Sequence, residues 1–579
     1  MAKSSSKYAS FSREQLISRL EKLERERYGL VWEDKEEDVA KQCETELPVL
    51  KENTDKEIVC NPDLPFNYII EGDNYHSLYT LNFTHKKKID VIYIDPPYNT
   101  GTKDWKYNNN YVDSQDSFKH SKWLSFMKKR LVLARRLLKK DGIIIVTIDD
   151  YEVAPLTLLM NQIFGEDNQL GTVVIKNNPS GRSTTKGFAI AHEYALFYSL
   201  LPKTKIGRLQ RNEKQIARYS EKDETGYYEW VNFRARYSSV SQKMQYPLFI
   251  KKNCSDFRVP KLKWNEARRK YELLEEPKAS EFIKYPIDDS NKMRSWKWSI
   301  ETAQQKIGTE MSVRYDRNKQ PAVYVKSRIN EEGMLPLTVW DKTEYSATAY
   351  GTNLLDSMMN NERIFNYPKS LYAVKDCLKV ATNNSAALIL DFFAGSGTTA
   401  HAVLELNKED GGNRQFILCT NNENNICEEV TYPRIKKVIK GYADKTGISA
   451  NVKYFKQTFV PNIANDNDKR ELVNRSTELL CMAENTFDKV IKRTAKNEFA
   501  IFKNTNKQTV IIYDEESVEK CVDKLNSINS SLETVIYVFS YDHTYNEEDF
   551  KGLKINCSVK PIPEAILNIY RKIAKLRKK

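Results

Sequence analysis

Short apolar runs alternate with helical sequence along much of this chain, and that alternation restricts its fold more than any other feature. The runs YIIEGD, DVIYID and IIIVTIDD are apolar on both faces of an extended strand, and amphipathic segments separate them. Strands of this kind belong to parallel sheets covered by helices. Further along, ALILDFF, TTAHAVLEL and QFILCT form a second strand–helix–strand unit. We therefore predict an α/β fold built around a parallel sheet.

The sequence between these two strand-rich parts has a different character. From Lys203 to Lys270 there are 18 basic and 7 acidic residues, and tyrosine and tryptophan are interleaved with them. Clustered positive charge is typical of a surface that binds a polyanion. A solvated basic face explains the charge equally well. In either case the change in composition predicts an inserted domain.

A chain of 579 residues needs more than one hydrophobic core. The patterns divide it into five segments. We predict an N-terminal helical arm (1–60), one half of the sheet (61–202), the inserted domain (203–345), the other half of the sheet (346–465) and a small C-terminal α/β module (466–579). The arm is inferred from apolar residues at helical spacing between Ser12 and Cys43, among them Leu20 and Leu23.

Several classes of protein are disfavoured by what the sequence lacks. The nine cysteines contain no CxxC pair, which predicts free thiols in a reducing compartment. No apolar run approaches the roughly 20 residues that span a bilayer, and the first residues lack the apolar core of a signal peptide. We expect a cytoplasmic protein without a membrane segment. The sequence contains no Gly-Lys pair, so a P-loop ATPase is disfavoured.

The sharpest motif is Asp95-Pro96-Pro97-Tyr98, which directly follows the strand DVIYI. Ligands of parallel α/β sheets bind beyond the carboxyl ends of strands. The Asp95 carboxylate and the Pro96 carbonyl offer two acceptors for the protons of one amine, and the two prolines make the turn stiff. Tyr98 offers a flat face for a base. The alternative is a rigid end to a strand with an exposed tyrosine.

The second motif is the loop Asp391-Phe392-Phe393-Ala394-Gly395-Ser396-Gly397-Thr398, between a strand and a helix. Its two glycines allow a ligand to approach the backbone closely. The third glycine of a dinucleotide-binding fingerprint is absent, so a zwitterionic ligand with a nucleoside end fits better. Glu423, after the strand QFILCT, is a candidate for the ribose hydroxyls, and Asp73 for the adenine amine. Each of these two acids could equally be a surface carboxylate.

Taken together, the motifs resemble those of the DNA amino-methyltransferases, which share a D/N/S-P-P-Y/F/W catalytic motif and an FxGxG cofactor motif. The catalytic motif comes first here and the basic segment lies between the two, which is the permuted beta arrangement. Strings such as IYIDPPYNTGT, HEYALFYS and FNYPKS resemble the modification subunit of type III restriction-modification systems. The resemblance implies a Rossmann-like methyltransferase sheet, S-adenosyl-L-methionine as the methyl donor, and a target-recognition role for the inserted domain. Implied cofactor residues are Asp391, Phe393, Gly395, Gly397 and Thr398, with Pro368 and Lys369 near the methionine part.

The same resemblance implies how such a protein acts. Aspartate before Pro-Pro is typical of adenine N6 as the acceptor, whereas cytosine N4 and an RNA base stay open. A DNA-binding scaffold that has lost its activity is the alternative from another class. The chain has no Pro-Cys dipeptide, so methylation of a ring carbon lacks its nucleophile. Expected partners are double-stranded DNA, a second copy in a homodimer, and a separate restriction subunit with helicase and nuclease activity. We expect no metal in the chemistry.

Overall fold

The computed structural model describes residues 11–18, 32–108, 110–113, 115–181, 187–235, 242–496, 498–528 and 530–577. The chain divides into two compact units. One comprises residues 1–207 together with 335–579, and the other is the insertion 208–334. The finer five-part division stays a prediction. None of the helices in the described part of the chain combines the length and the apolar character that a membrane crossing requires.

A ten-stranded sheet forms the centre of the larger unit. Its strands are β1 (Glu46–Glu52), β2 (Phe66–Glu71), β3 (Ile89–Ile94), β4 (Leu138–Ile148), β5 (Gln169–Ile175), β6 (Glu193–Ser199), β7 (Val339–Trp340), β8 (Leu388–Asp391), β9 (Gln415–Thr420) and β10 (Asn451–Pro461). The order across the sheet is β1-β10-β2-β9-β8-β3-β4-β6-β5-β7. β3 and β8 are neighbours near its middle.

The sheet is mixed, so the prediction of a parallel sheet is only partly right. β2, β3, β4, β8, β9 and β10 run parallel where they are neighbours. β6 runs antiparallel between β4 and β5, and β1 runs antiparallel to β10. Burial on both faces makes a strand apolar whichever way it runs, so the apolar pattern carries no information about direction.

Helices pack beside the strands of the larger unit. In the larger unit they are α1 (Asp38–Thr45), α2 (Asn74–Thr84), α3 (Lys119–Arg135), α4 (Val153–Phe164), α5 (Asn353–Met358), α6 (Leu371–Ala381), α7 (Thr398–Asp410), α8 (Tyr432–Lys440), α9 (Asp466–Asn474), α10 (Thr477–Glu484), α11 (Val518–Ile528) and α12 (Glu564–Arg577). Apolar residues at helical spacing continue to Leu138, but α3 ends at Arg135. Leu138 is the buried first residue of β4. Because an apolar residue is compatible with either a helix or a strand, the apolar pattern alone does not show where the helix ends.

The predicted N-terminal helical arm is only partly testable. Residues 19–31, which contain Leu20 and Leu23, lie outside the described residues. Residues 13–18 and Asp38–Thr45 are helical and residues 32–37 are not, so the helical arm stays a prediction. The segment 32–37 is held on α3. The Glu37 carboxylate accepts hydrogen bonds of 2.7 and 3.0 Å from the guanidinium of Arg130, whose side chain is completely buried. Helical periodicity could not reveal a partner so distant in the chain.

The C-terminal residues form a second, five-stranded sheet within the larger unit. Its strands are β11 (Asp488–Ile491), β12 (Phe499–Lys503), β13 (Lys507–Ile512), β14 (Glu533–Phe539) and β15 (Cys557–Ile562), in sequential order. Helix α12 packs on α2, and the Tyr570 hydroxyl donates to the carbonyl oxygen of Pro48 at 2.7 Å. All nine cysteines lie within the described residues and are free thiols.

The inserted unit has its own core and is mainly antiparallel. One sheet contains Glu221–Asp223, Gly226–Asn232, Met311–Tyr315 and Pro321–Arg328, and another contains Leu248–Lys251, Phe257–Arg258 and Glu281–Lys284; a hairpin pairs Leu262–Asn265 with Lys270–Leu273, and the helices are Glu213–Ile216 and Ile300–Lys306. The rings of Phe233 and Trp296 stack in the core with centroids 5.1 Å apart. Some of the aromatic residues interleaved with basic ones therefore build the core rather than a binding surface.

Candidate active site

The two motifs meet at the carboxyl ends of neighbouring strands. β3 and β8 run parallel with Val91 opposite Ile389, so Asp95 and Asp391 emerge at the same edge of the sheet. A cavity of about 90 Å³ opens between them. It is lined by Tyr93, Asp95, Phe365, Tyr367, Pro368, Lys369, Val374, Asp391, Phe393, Ala394, Gly395, Ser396, Thr398 and Thr399. Residues about 300 positions apart in sequence thus share one cavity.

The glycine loop turns sharply into helix α7. Gly395 and Gly397 have φ of 49° and 77°, a left-handed conformation that favours glycine. A Cβ atom on Gly397 would lie 3.3 Å from Cγ2 of Thr431. The hydroxyl of Thr431 donates to the Gly395 carbonyl at 2.6 Å. The loop is therefore shaped both by its own glycines and by the residues that precede helix α8.

A buried arginine from helix α8 also holds this loop. Arg434 donates hydrogen bonds of 3.1 Å to the Ser396 hydroxyl and 2.8 Å to the Thr398 hydroxyl. Its side chain is fully buried, and burial lowers the pKa of its guanidinium to about 10. Arg434 thus orients both hydroxyl groups at the N-terminus of α7.

Asp391 lies at the floor of the cavity and is almost completely buried. Its carboxylate accepts a hydrogen bond of 2.9 Å from the Phe393 amide and one of 2.5 Å from the Thr399 hydroxyl. Burial raises the pKa of Asp391 to about 7, and the nearby charge of Asp95 acts in the same direction. A cationic ligand in the cavity would favour the ionised carboxylate.

The Asp95 carboxylate is fixed by three side chains that all contact Oδ1. The Thr147 hydroxyl donates to it at 2.7 Å and the Tyr98 hydroxyl at 2.9 Å, while the Lys369 ammonium lies 3.1 Å away. In the part of the chain that the structure describes, none of these three contacts involves Oδ2. The contacts to Oδ1 hold the carboxylate of Asp95 at the edge of the cavity in one orientation.

Lys369 and Glu193 form a buried ion pair beside Asp95. The Lys369 ammonium donates to Oε2 of Glu193 at 2.5 Å and also to the Tyr98 hydroxyl, and only 4% of the Glu193 side chain is exposed. Asn177 donates a further bond of 2.7 Å to Oε2. Although burial opposes the charge on Lys369, Asp95 and Glu193 raise its pKa. Burial and the same two carboxylates raise the pKa of Tyr98, so the phenol is neutral.

Two helices hold the loop that carries the Pro-Pro motif. The Trp123 indole, on α3, donates to the Pro97 carbonyl at 2.7 Å. The Asn99 amide donates at 2.5 Å to the buried carboxylate of Glu152, the residue that precedes α4. These bonds fix the backbone on both sides of Tyr98.

The structure brings most of the predicted site residues together. Those that line the cavity are Asp95, Pro368, Lys369, Asp391, Phe393, Gly395 and Thr398. Pro96, Pro97 and Tyr98 follow Asp95 in the chain, and Gly397 directly precedes Thr398.

Two predicted acids are not among the residues that line it. Asp73 caps helix α2 by accepting a bond of 2.7 Å from the Tyr75 amide. Glu423 is exposed in a short 3₁₀ turn after β9. Their proposed contacts with a nucleoside stay predictions.

Three contact residues of the cluster were not identified from the sequence: Thr147, Asn177 and Glu193. A signal was present, because Thr147 interrupts the apolar run IIIVTI and Glu193 heads the apolar strand EYALFYS. A polar residue within a buried strand needs a hydrogen-bonding partner.

Comparison with known proteins identifies the family to which the chain belongs. The model of the N6/N4 methyltransferase family, described as DNA methylase, matches residues 89–432, more than half of the chain. The chain belongs to this family of DNA methylases. S-adenosylmethionine is the methyl donor of the family.

Relatives of this methylase include a type II methyltransferase and a subunit of a type III restriction-modification enzyme. The chain is 36% identical over 358 residues to the type II methyltransferase M.KpnI of Klebsiella pneumoniae. The aligned residues make up 61% of this chain and 79% of that protein. The chain is also 30% identical over 397 residues to the EcoPI Mod subunit of a type III restriction-modification enzyme from Escherichia phage P1. The aligned residues make up 62% of this chain and 58% of that subunit. The chain thus spans little more than half of that subunit.

Among solved structures, a putative DNA modification methylase from Thermus thermophilus in complex with S-adenosylmethionine aligns with 67% of this methylase and 99% of its own chain. The identity is 10% and the TM-score is 0.30.

The cavity fits the methionine part of S-adenosylmethionine. Gly395 has no side chain to block the ligand, and the N-terminus of helix α7 suits a carboxylate. Asp391 suits the ammonium group, and Phe393 and Pro368 provide apolar surface for the methylene chain. Among the described residues no group of three His, Cys, Asp or Glu side chains is arranged to hold a metal ion.

Proposed function

We propose that this protein is a site-specific DNA methyltransferase that transfers the methyl group of S-adenosyl-L-methionine to N6 of adenine. One observation carries the proposal: the glycine loop and the Asp95 motif line the same cavity. A methyl donor held by the loop would therefore lie next to acceptors for an amine. When bound, the donor supplies an electrophilic methyl group on a sulfonium.

The residues of the chain would prepare the amine as nucleophile. The lone pair of an exocyclic amine is delocalised into the base, so the amine must be held with its nitrogen approaching a tetrahedral shape. Asp95 Oδ2 and the Pro96 carbonyl are the proposed acceptors for its two protons. Thr147 and Lys369 keep the Asp95 carboxylate in place before the base arrives. The Tyr98 ring is the proposed stacking surface for a base flipped out of the duplex.

Transfer would then be a direct displacement. The bond from nitrogen to the methyl carbon forms as the bond from carbon to sulfur breaks, and the electron pair of that bond stays on sulfur. The methylated amine loses one of its two protons to Asp95, which releases it to solvent. No covalent intermediate with the protein is needed, so positioning supplies most of the rate enhancement.

A labelled methyl donor tests the reaction. The protein is incubated with unmethylated duplex DNA, which is then digested to nucleosides and separated by chromatography. We expect the label in N6-methyldeoxyadenosine. Label in N4-methylcytosine would show that adenine is the wrong acceptor, and label only in RNA would show that DNA is the wrong substrate.

Two variants assign the residue. We expect Asp95→Ala to lower the transfer rate at least about 100-fold while the donor still binds, because the carboxylate contacts the acceptor. Asp444→Ala, an exposed acid in the same unit, is the matched control and should keep full activity. Wild-type activity in Asp95→Ala would contradict the assignment of the acceptor.

We further propose that the protein is the modification and recognition subunit of a type III system. It would act in the cytoplasm on double-stranded DNA as a homodimer, with a separate restriction subunit. Similarity to the EcoPI Mod subunit supports this role. The second candidate is a stand-alone type II methyltransferase, which the larger covered share of M.KpnI favours.

Purification from the host separates these two roles. A type III subunit should purify together with a second polypeptide that cleaves unmethylated DNA in the presence of ATP. Light scattering on the isolated protein should give twice its mass of 67.4 kDa. An active methyltransferase that purifies without such a nuclease would favour the type II role, and a monomer would contradict the proposed dimer.

A further inference from the structure

A two-stranded hairpin of the inserted unit has one apolar and one polar face. It pairs Leu262–Asn265 with Lys270–Leu273. The rings of Trp264 and Tyr271 lie opposite each other with centroids 4.9 Å apart, and Leu262 and Tyr271 pack against the core of the unit. Alternate residues of a strand point to opposite faces, so Lys263 and Lys270 are on the outer face.

The outer face and the tip of this hairpin carry a cluster of exposed cations. They are Lys263, Arg268, Arg269 and Lys270. Within the part of the chain that the structure describes, none of the four has a carboxylate within 4.0 Å. The only acid of the turn, Glu266, lies 3.7 Å from the ammonium of Lys243. Glu272 lies opposite Lys263 on the same outer face, but the four cations outnumber the two acids Glu266 and Glu272, so the net charge of the tip and outer face stays positive.

Another arginine of the unit shows the contrast. Arg258 donates to Glu275 at 2.8 Å and to Glu281 at 2.9 Å, and both bonds raise its pKa. Its charge is neutralised within the protein. The hairpin cations have no such role in the fold, so their charge is available to a partner.

The tip is held in one shape. Arg269 adopts the left-handed conformation with φ of 48°, which closes the turn. The Arg268 amide donates to the side-chain oxygen of Asn265 at 2.9 Å, and the Asn265 side chain donates to Glu272 at 2.6 Å. A rigid tip loses little conformational entropy when it binds.

We propose that the tip of this hairpin, through Arg268, Arg269 and Lys270, binds the phosphate backbone of double-stranded DNA. This inference rests on the proposed function, in which duplex DNA is the substrate. The major groove of DNA is about 12 Å wide and admits a two-stranded ribbon, while the duplex carries one charge for about every 1.7 Å of its axis. Cations on adjacent residues of such a ribbon can each meet a phosphate.

The test is the salt dependence of DNA binding by the full chain. Fluorescence anisotropy with a long labelled duplex gives log K against log salt for the wild type and for Arg268→Ala/Arg269→Ala. Each lost phosphate contact changes the slope by about 0.9, so we expect a slope about 1.8 less negative and binding about 30-fold weaker at about 0.15 M salt.

The matched control is Arg317→Ala/Lys319→Ala. Arg317 and Lys319 are exposed cations at the tip of another hairpin of the same unit, and replacing both removes the same net charge. We expect the control to keep the wild-type slope. An unchanged slope in the Arg268/Arg269 variant would overturn the proposal, and so would an equal loss in the control, because that result would reflect net charge alone.

Two further measurements separate the possible failures. Binding of S-adenosylmethionine and the thermal unfolding midpoint should be the same in both double variants, which shows that the fold is intact. If the wild type methylates DNA and only the hairpin result is negative, the inference fails by itself. If the wild type transfers no methyl group to DNA, the proposed function fails. Tighter binding of duplex RNA than of DNA would contradict DNA as the partner.

Discussion

The affinity for the methyl donor should fall as the pH is lowered below 7, because the proposed ammonium partner is a buried acid. Burial raises the pKa of Asp391 to about 7. Only the ionised carboxylate attracts the ammonium group of S-adenosylmethionine, so the observed affinity follows the ionised fraction of Asp391. That fraction is about 0.76 at pH 7.5 and about 0.03 at pH 5.5, from the ordinary titration of one group.

The expected loss of affinity between these two pH values is therefore about 25-fold, or about 1.9 kcal/mol. Isothermal titration calorimetry across this range measures it directly. In Asp391→Asn the group no longer titrates, so we expect weak binding at pH 7.5 and little change down to pH 5.5. A wild type whose affinity is constant across the range would refute the reasoning, as would Asp391→Asn with the wild-type slope.

Asp391 should also make the free energy of unfolding depend on pH, in the opposite direction to the affinity for the donor. Because the folded state raises the pKa of Asp391 from its ordinary value of 3.8, the folded protein binds more protons than the unfolded chain between about pH 4 and pH 7. The contribution of Asp391 to the free energy of unfolding therefore falls as the pH rises through this window. In Asp391→Asn this contribution should no longer fall with pH. Denaturant unfolding of the wild type and the variant at pH 5 and pH 8 measures the difference.

Three further substitutions test the support of the site. Glu193→Gln removes the buried partner of Lys369 and should lower the methyl-transfer rate at least about tenfold with unchanged donor binding; an unaffected rate would contradict a positioning role. Arg434→Met frees the two hydroxyls at the start of α7 and should raise the Kd for the donor about tenfold by calorimetry, and an unchanged Kd would argue against a role in shaping the loop. Trp123→Phe leaves the Pro97 carbonyl without its indole donor, so it should lower the free energy of unfolding by about 1–3 kcal/mol and slow the methyl transfer. A free energy of unfolding within about 0.5 kcal/mol of the wild-type value would show that the bond matters little.

The sequence by itself determined the elements on which the chemistry depends. Asp95 follows an apolar strand, and Gly395 and Gly397 lie between a strand and a helix, as their local sequence predicts. These features are local, because apolar runs, prolines and glycines restrict the backbone over a few residues. The family, the α/β fold and the methyl donor all followed from them.

Only the tertiary structure decided which distant side chains surround Asp95. Thr147, Glu193 and Lys369 come from three separate parts of the chain, and their contacts with the Asp95 motif depend on the order of strands in the sheet. The antiparallel direction of β6 and the fixation of residues 32–37 by Arg130 likewise depend on long-range partners. A hydrophobic pattern records that a residue is buried, but the charges and hydrogen bonds that it meets there are set by packing.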